Sequence, residues 1–485
     1  MENNEEAISQ VDKKKFVRNV GVVLFSNILS VIAGVLVGFI IPKIMGVEDH
    51  GYYKAFTLYA SYIGMFHFGF IDGIHLRFAG KKYNELDKEK FRAYSRFLII
   101  LQLFVSIIFT GIAMFFVGNE YSIIFLLIAI DVLAVNISTY FEFISQVTMR
   151  FKQLSLRNTI KSASTIVSVI ILFLLNRYCK IKIVYYIYVM VVVIINYTLA
   201  LWYLISYRDI VFGRAEKIKN VKSDIFSFFK IGIPLLLSNL VVQFIFLVDQ
   251  QAVNIGFENE IYSKYAFAYN MISLITIATG AISTVLYPTL KSISKETIKE
   301  KYGKINSLLL VLVALSLLVY FPLVPFINTF LSDYSDSLRT FSIILPGVMI
   351  SSSISVIKYN CYKTFDHIKE YFIISLFVLV LAIVADVSMY YIFKTTDSIS
   401  IVSIIVLLVW YVTEEVVFYK KYGTKWVKNA LFMVTCITIF YLSQLFNNVI
   451  IGAVVYFAAV CIAIFCYYFL EIREMIKNRK DKKNG

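Results

Sequence analysis

The sequence predicts an all-α polytopic membrane protein of about 14 transmembrane helices, arranged as two six-helix lobes in a parallel repeat plus two C-terminal helices. Three observations predict it. Apolar stretches long enough to cross a bilayer, on the order of 20 residues each, recur along the chain with short polar breaks between them. Of 485 residues, 59% are hydrophobic and 16% charged, a balance foreign to soluble domains. The chain also repeats itself: Gly46-Val-Glu-Asp-His-Gly-Tyr-Tyr-Lys54 has a counterpart in Gly256-Phe-Glu-Asn-Glu-Ile-Tyr-Ser-Lys264. The pairs Ser26-Asn27 and Ser238-Asn239 precede the two copies at matching places.

A polar segment, 1–19, comes first. The apolar stretch 20–45 is too long for the core of a signal peptide and no small-residue cleavage site follows it, so it reads as a span. It opens an N-lobe, 20–206, whose further spans are 52–75, 97–117, 123–147, 160–175 and 183–205. Gly34-x-x-x-Gly38 on the first span and Gly69-x-x-x-Gly73 on the second let helices approach closely. The basic stretch 207–224 links the lobes. A C-lobe, 225–420, holds the spans 225–255, 265–290, 305–327, 341–362, 371–393 and 399–418. Six spans separate the two copies of the repeat, so both copies enter from the same side; this is a parallel repeat about an axis along the membrane normal. Spans 430–446 and 449–470 fall in 429–471, outside the repeat, and 472–485 is a basic tail.

Charge sets the orientation. With the N-terminus inside, 39 of the 47 Lys and Arg residues fall on inner segments and 8 on outer ones. That bias places both termini in the cytoplasm, with the protein multi-pass in the plasma or inner membrane. The net charge of +15 is then a topology signal toward an anionic inner leaflet; no nucleic-acid-binding pattern accompanies it. The five cysteines form no C-x-x-C and the four histidines no metal-ligand spacing. Neither a P-loop nor G-x-S-x-G occurs. No cofactor, metal or catalytic residue is expected.

The stretch Ile40-Ile-Pro-Lys-Ile-Met-Gly46-Val-Glu-Asp-His-Gly51-Tyr52 resembles the signature of the polysaccharide-export (oligosaccharide flippase, Wzx-like) branch of the multidrug/oligosaccharidyl-lipid/polysaccharide flippase superfamily. Gly69-Phe-Ile-Asp72-Gly73 with Arg77 looks like theirs too, as does Lys230-Ile-Gly232-Ile-Pro234 leading to Asp249. The chain departs from the pattern at Ile261 and Gln250. The resemblance implies a two-lobed exporter that moves a polyprenyl-pyrophosphate-linked oligosaccharide from the inner to the outer leaflet by alternating access, for cell-surface polysaccharide biosynthesis. It implies membrane lipids as partners, along with a polysaccharide polymerase and glycosyltransferases.

Polar groups inside a bilayer are costly and usually face a cavity or one another. On the seventh span Asn239, Gln243, Gln250 and Asn254 fall within about 60° of arc at 100° per residue. They read as a hydrated stripe for sugar hydroxyls, or as amide-mediated helix packing. Asp72 and His75 share a face of the second span, with Arg77 at its exit either in the cavity or as a headgroup anchor. Asp131 and Glu142 lie on one face of the fourth span, as an ion-coupling pair or a structural one. Lys358 reads as snorkelling; Asp386, Glu414 and Glu415 are acids without a nameable partner. Lys54 and Lys264 are repeat-equivalent and offer a pair of ammonium groups for a pyrophosphate, or else lie among the outer headgroups. Besides the oligosaccharide exporter, a flippase for a lipid II-type peptidoglycan precursor and a cation/drug antiporter on the same fold stay open. The antiporter would show an apolar cavity with one or two acids and no basic pair. A membrane polysaccharide polymerase fits less well, because the longest outer break, 328–340, leaves little room for a catalytic loop.

Overall fold

The structure, a computed structural model, describes residues 25–291 and 293–484, with 470–484 as backbone alone. The N-terminal segment 1–19 and the start of the first span lie outside the described residues. All regular structure among the described residues is helical, and the chain forms two compact units that divide between Gln243 and Phe244.

The first unit contains α1 (Phe25–Met45), α2 (Val47–Ala60), α3 (Phe70–Phe78), α4 (Lys88–Met114), α5 (Glu120–Val147), α6 (Phe151–Cys179), α7 (Tyr185–Ser206) and nearly all of α8 (Ile218–Ile245). Gly46 alone joins α1 to α2, at φ 81° and ψ 171°, a region in effect reserved for glycine. Helix starts follow the usual chemistry: the Asp87 carboxylate accepts the Glu89 and Lys90 N–H groups at 3.1 and 3.2 Å, and Asn119 caps α5 through Tyr121 N–H at 3.1 Å. The faces sort as they should in lipid. On α4, Leu98, Gln102, Val105 and Phe109 are buried while Ile100, Phe104 and Ile107 face outward. Rings of Phe70, Phe91, Tyr94, Tyr140, Phe141, Tyr203, Tyr207 and Phe228 fill the core of this unit.

One expectation changes here. The second span is not one helix: α2 ends at Ala60, a 3-10 turn Ile63–His67 follows, and Phe68 and Gly69 turn the chain in the left-handed region before α3. The 207–224 stretch and most of the seventh span sit inside the first compact unit. The cause is a glycine contact. A Cβ on Gly232 would run into the carbonyl of Gly69, and one on Gly73 into the backbone of Phe228, so α3 and α8 touch backbone to backbone.

The second unit runs through α9 (Val248–Gly256), α10 (Asn259–Lys291), α11 (Lys295–Ser316), α12 (Tyr320–Phe330), α13 (Ser337–Ile344), α14 (Gly347–Ser352), a π-helical turn (Ser353–Lys358) and α15 (Tyr359–Thr364). It continues through α16 (Ile368–Phe393), α17 (Thr396–Tyr422), α18 (Val427–Ser443) and α19 (Val449–Asn484). The tenth span bends by 45° between Ile344 and Gly347, where Pro346 sits. The two C-terminal helices, outside the repeat in sequence, pack on the ninth span: Tyr456 donates to the Ala314 carbonyl at 2.7 Å and Asn429 to that of Gly303 at 2.9 Å. Ten helices among the described residues are long and apolar enough to cross a membrane, or eleven with the bent pair. Fourteen crossings were expected. Of the other segments, the second is broken, the eighth lies in α10 and the thirteenth is the 17-residue α18.

Candidate functional site

The second unit encloses a cavity of about 530 Å³, bounded by α9, α10, the tenth span, α16 and α17. The fold places it where the apolar helix faces are interrupted by small hydroxylated residues at helical spacing. Ser273, Thr276, Thr279 and Ser283 come from α10, and Ser351, Ser352 and Ser355 from the tenth span. Two acids enter this lining, Asp249 from α9 and Asp386 from α16, together with Gln250 and Ser403. Lys, Arg and His are absent from the lining among the described residues.

The two carboxyls differ in their partners. Asp249 Oδ2 accepts the Tyr265 hydroxyl at 2.8 Å and the Tyr269 hydroxyl as well, and Oδ1 accepts the Gln250 N–H at 2.7 Å. Asp386 is 1% exposed, and neither of its oxygens has a hydrogen-bond partner among the described side chains. Asp249 and Asp386 act on each other electrostatically, with Ser403 beside Asp386. A pair of buried carboxyls, walled by hydroxyls, suits a cation, a proton or a polyhydroxylated group.

Polar chemistry in the first unit gathers elsewhere. Asp224 on α8 draws in Arg77 at 3.2 Å, Lys90 at 3.3 Å and the Tyr94 hydroxyl at 2.8 Å. Asp209, on the loop after α7, accepts the Tyr83 hydroxyl at 2.6 Å and Lys88 at 3.0 Å. Burial opposes ionisation of Asp209, but those two hydrogen bonds and the Lys88 charge outweigh it and hold the carboxyl below its usual range. The cluster ties α3, α4 and α8 to the loop around Asp209.

The residues singled out by sequence scatter. Gln250 lines the cavity; Asn239 and Gln243 do not, since the chain breaks between α8 and α9 and the stripe has no continuous helix to run on. Gln243 instead donates to the Ser61 carbonyl at 2.8 Å. Asp72 sits 3.7 Å from His67, while His75 packs against Phe143 with ring centres 4.7 Å apart and planes tilted by 43°. Arg77 is taken up by Asp224. Lys264 is ion-paired with Asp336 at 2.5 Å, and Lys54 lies half-buried on α2 with Nζ 5.9 Å above the Tyr53 ring. Asp131 accepts the Asn196 amide on both oxygens, at 2.9 and 3.2 Å. Glu142 lies eleven residues further along the unbroken α5, about 16 Å away, so the two acids do not share one ion. Sequence reasoning missed the pairing of Asp249 with Asp386. Both are acids inside apolar spans, a signal on its own; what was lacking was the knowledge that α9 and α16 are neighbours.

Residues 16–294 match the family described as polysaccharide biosynthesis protein. None of the curated protein sequences matches. Among solved structures, a lipid II flippase MurJ in an inward closed conformation resembles the chain with a TM-score of 0.70 at 15% identity, covering 94% of this chain and 100% of that one. An inward-facing multidrug resistance MATE family transporter of the MOP superfamily follows with a TM-score of 0.58 at 12% identity, covering 80% of this chain and 95% of the other. At these identities the likeness is one of fold.

Proposed function

The chain belongs to the polysaccharide biosynthesis protein family, and from that membership we propose that it is a flippase for a polyprenyl-pyrophosphate-linked oligosaccharide, moving it from the inner to the outer leaflet. The family match over residues 16–294 carries this reading, and the whole-chain likeness to a lipid flippase agrees with it. The physical demand is clear. A pyrophosphate and its sugars would cost tens of kcal/mol to pull through hydrocarbon unless protein groups replace the water. Sugar hydroxyls find donors and acceptors of their own kind in the Ser/Thr wall of the second-unit cavity. Lys54, half-buried on α2, is the basic group we assign to the pyrophosphate. Alternating access moves the substrate.

The test is transport by the purified protein in vesicles loaded with labelled polyprenyl-pyrophosphate oligosaccharide on one leaflet. Wild type should equilibrate the label between leaflets, and Lys54→Gln should slow it. Transfer no faster than in protein-free vesicles would refute the reading.

One observation favours a second reading. The cavity carries two acids and no basic residue in its lining, which is what a cation/drug antiporter needs. Uptake of an organic cation against a proton or sodium gradient, lost in Asp386→Asn, would decide for it.

A further inference from the structure

A second buried charge cluster lies in the second unit, on residues outside the lining of the Asp249–Asp386 cavity. Lys358, at the end of the π-helical turn, is 0% exposed, so it does not snorkel. Its Nζ lies 3.4 Å from Glu415 Oε1, 3.4 Å from the Tyr411 carbonyl and 3.4 Å above the centre of the Tyr411 ring. Glu415 and its neighbour Glu414 are both 0% exposed. One ammonium thus shares an apolar interior with two carboxyls. An uncompensated carboxylate there costs far more than its neutral acid.

Each carboxyl keeps one oxygen, Glu415 Oε1 and Glu414 Oε2, outside hydrogen-bond geometry among the described residues, so the ion pair with Lys358 is what distinguishes them. Glu415 is held as the anion, by Lys358 and by the Tyr302 hydroxyl, which donates to Oε2 at 3.1 Å. Glu414 receives the Trp410 indole N–H on Oε1 at 3.2 Å, but its Oε2 has no hydrogen-bond partner among the described residues. Tyr362 interacts with Glu414, Tyr411 with Glu415 and Asn306, and Tyr371 with Ser375. Glu414 and Glu370 both act electrostatically on Tyr362, and Glu414 also acts on Tyr371. Glu370 is 41% exposed and bonds Lys421 at 2.6 Å, with His367 at 3.4 Å. Cys361, Tyr359, Tyr422 and Tyr468 are further titratable groups around the cluster.

We propose that this cluster is a proton-binding site: one proton resides on Glu414 beside the Lys358–Glu415 ion pair and exchanges with solvent through the tyrosines and Glu370. On release the O–H bond of Glu414 breaks, the electron pair stays on the carboxylate, and the proton passes by way of Tyr362 to Glu370 or to water. Lys358 then faces two anions in an apolar interior. That state is costly enough to favour a different packing of the π-helical turn, a class of local distortion that recurs at functional positions. The proton is thereby coupled to the shape of the tenth span. The inference stands on the second unit alone, whatever the transported substrate.

Infrared spectroscopy of the full chain in lipid tests it. At neutral pH, Glu414→Gln should lose one protonated-carboxyl band that wild type shows, and in wild type that band should shift on transfer to deuterated buffer. Tyr362→Phe should slow the shift. The double variant Lys358→Met/Glu415→Gln should keep the band, and adding Glu414→Gln to it should remove it, which supplies the comparison if the single variant does not fold. An unchanged band in every Glu414→Gln background overturns the proposal. So does a band that never exchanges, which would mean a sealed structural acid.

Discussion

Gly232 shows how much one missing side chain decides. Its Cα faces the carbonyl of Gly69 so closely that a methyl group has nowhere to go. Gly232→Ala should therefore destabilise the first unit by about 1–3 kcal/mol or more, through backbone displacement. Gly111, in the middle of α4, has nothing within 4 Å of its would-be Cβ, and Gly111→Ala should stabilise by up to about 1 kcal/mol. Melting curves of the two variants in detergent compare them directly; equal melting temperatures would contradict the contact. Asp209 makes a second prediction. Its folded carboxyl lies below the usual aspartate range, so its contribution to stability is present above the unfolded pKa and is lost as pH falls through the folded one. The melting temperature should drop on acidification through that window, and Asp209→Asn should flatten the dependence there.

Helices in this protein are joined by single-point devices. Gly46 is one: its Cβ position is open space, so Gly46→Ala would cost only conformational strain, about 1–3 kcal/mol at φ 81°. Asn196 is another, binding α7 to α5 through both oxygens of Asp131. Asn196→Leu should leave a buried carboxyl without its donor and cost about 1–3 kcal/mol. Hydrogen exchange along α7 and the nearby stretch of α5 would read the loss; protection unchanged at both helices would show that the amide is not the tether. Breaks matter as much as joints. The interruption between α8 and α9, at Phe246 and Leu247, separates Gln243 from Gln250, and a polar stripe drawn at 100° per residue has no meaning across it.

For the whole molecule, the charge asymmetry of 39 inner to 8 outer basic residues predicts both termini and the 207–224 stretch in the cytoplasm. Single cysteines placed at 216 and at 48, in a chain otherwise free of cysteine, should label in intact cells only at 48 with an impermeant reagent. Labelling at 216 would reverse the orientation. The same asymmetry explains a net charge of +15 without recourse to an anionic macromolecule as partner.

Sequence by itself determined the class of the protein. Apolar runs of bilayer length leave only helices as a solution in lipid, since every backbone N–H and C=O must be satisfied within the segment. The Gly69-x-x-x-Gly73 contact was legible for the same reason, because small residues at that spacing have few other uses in a span. Tertiary structure decided the rest. Asp249 and Asp386 lie 137 residues apart in sequence, and Lys358 and Glu415 lie 57 apart; nothing local records that they meet. Periodicity assigns a side chain to a face of its own helix, whereas a site needs to know which helix that face meets. Packing chooses that neighbour, and in this chain it also chose where the helices break.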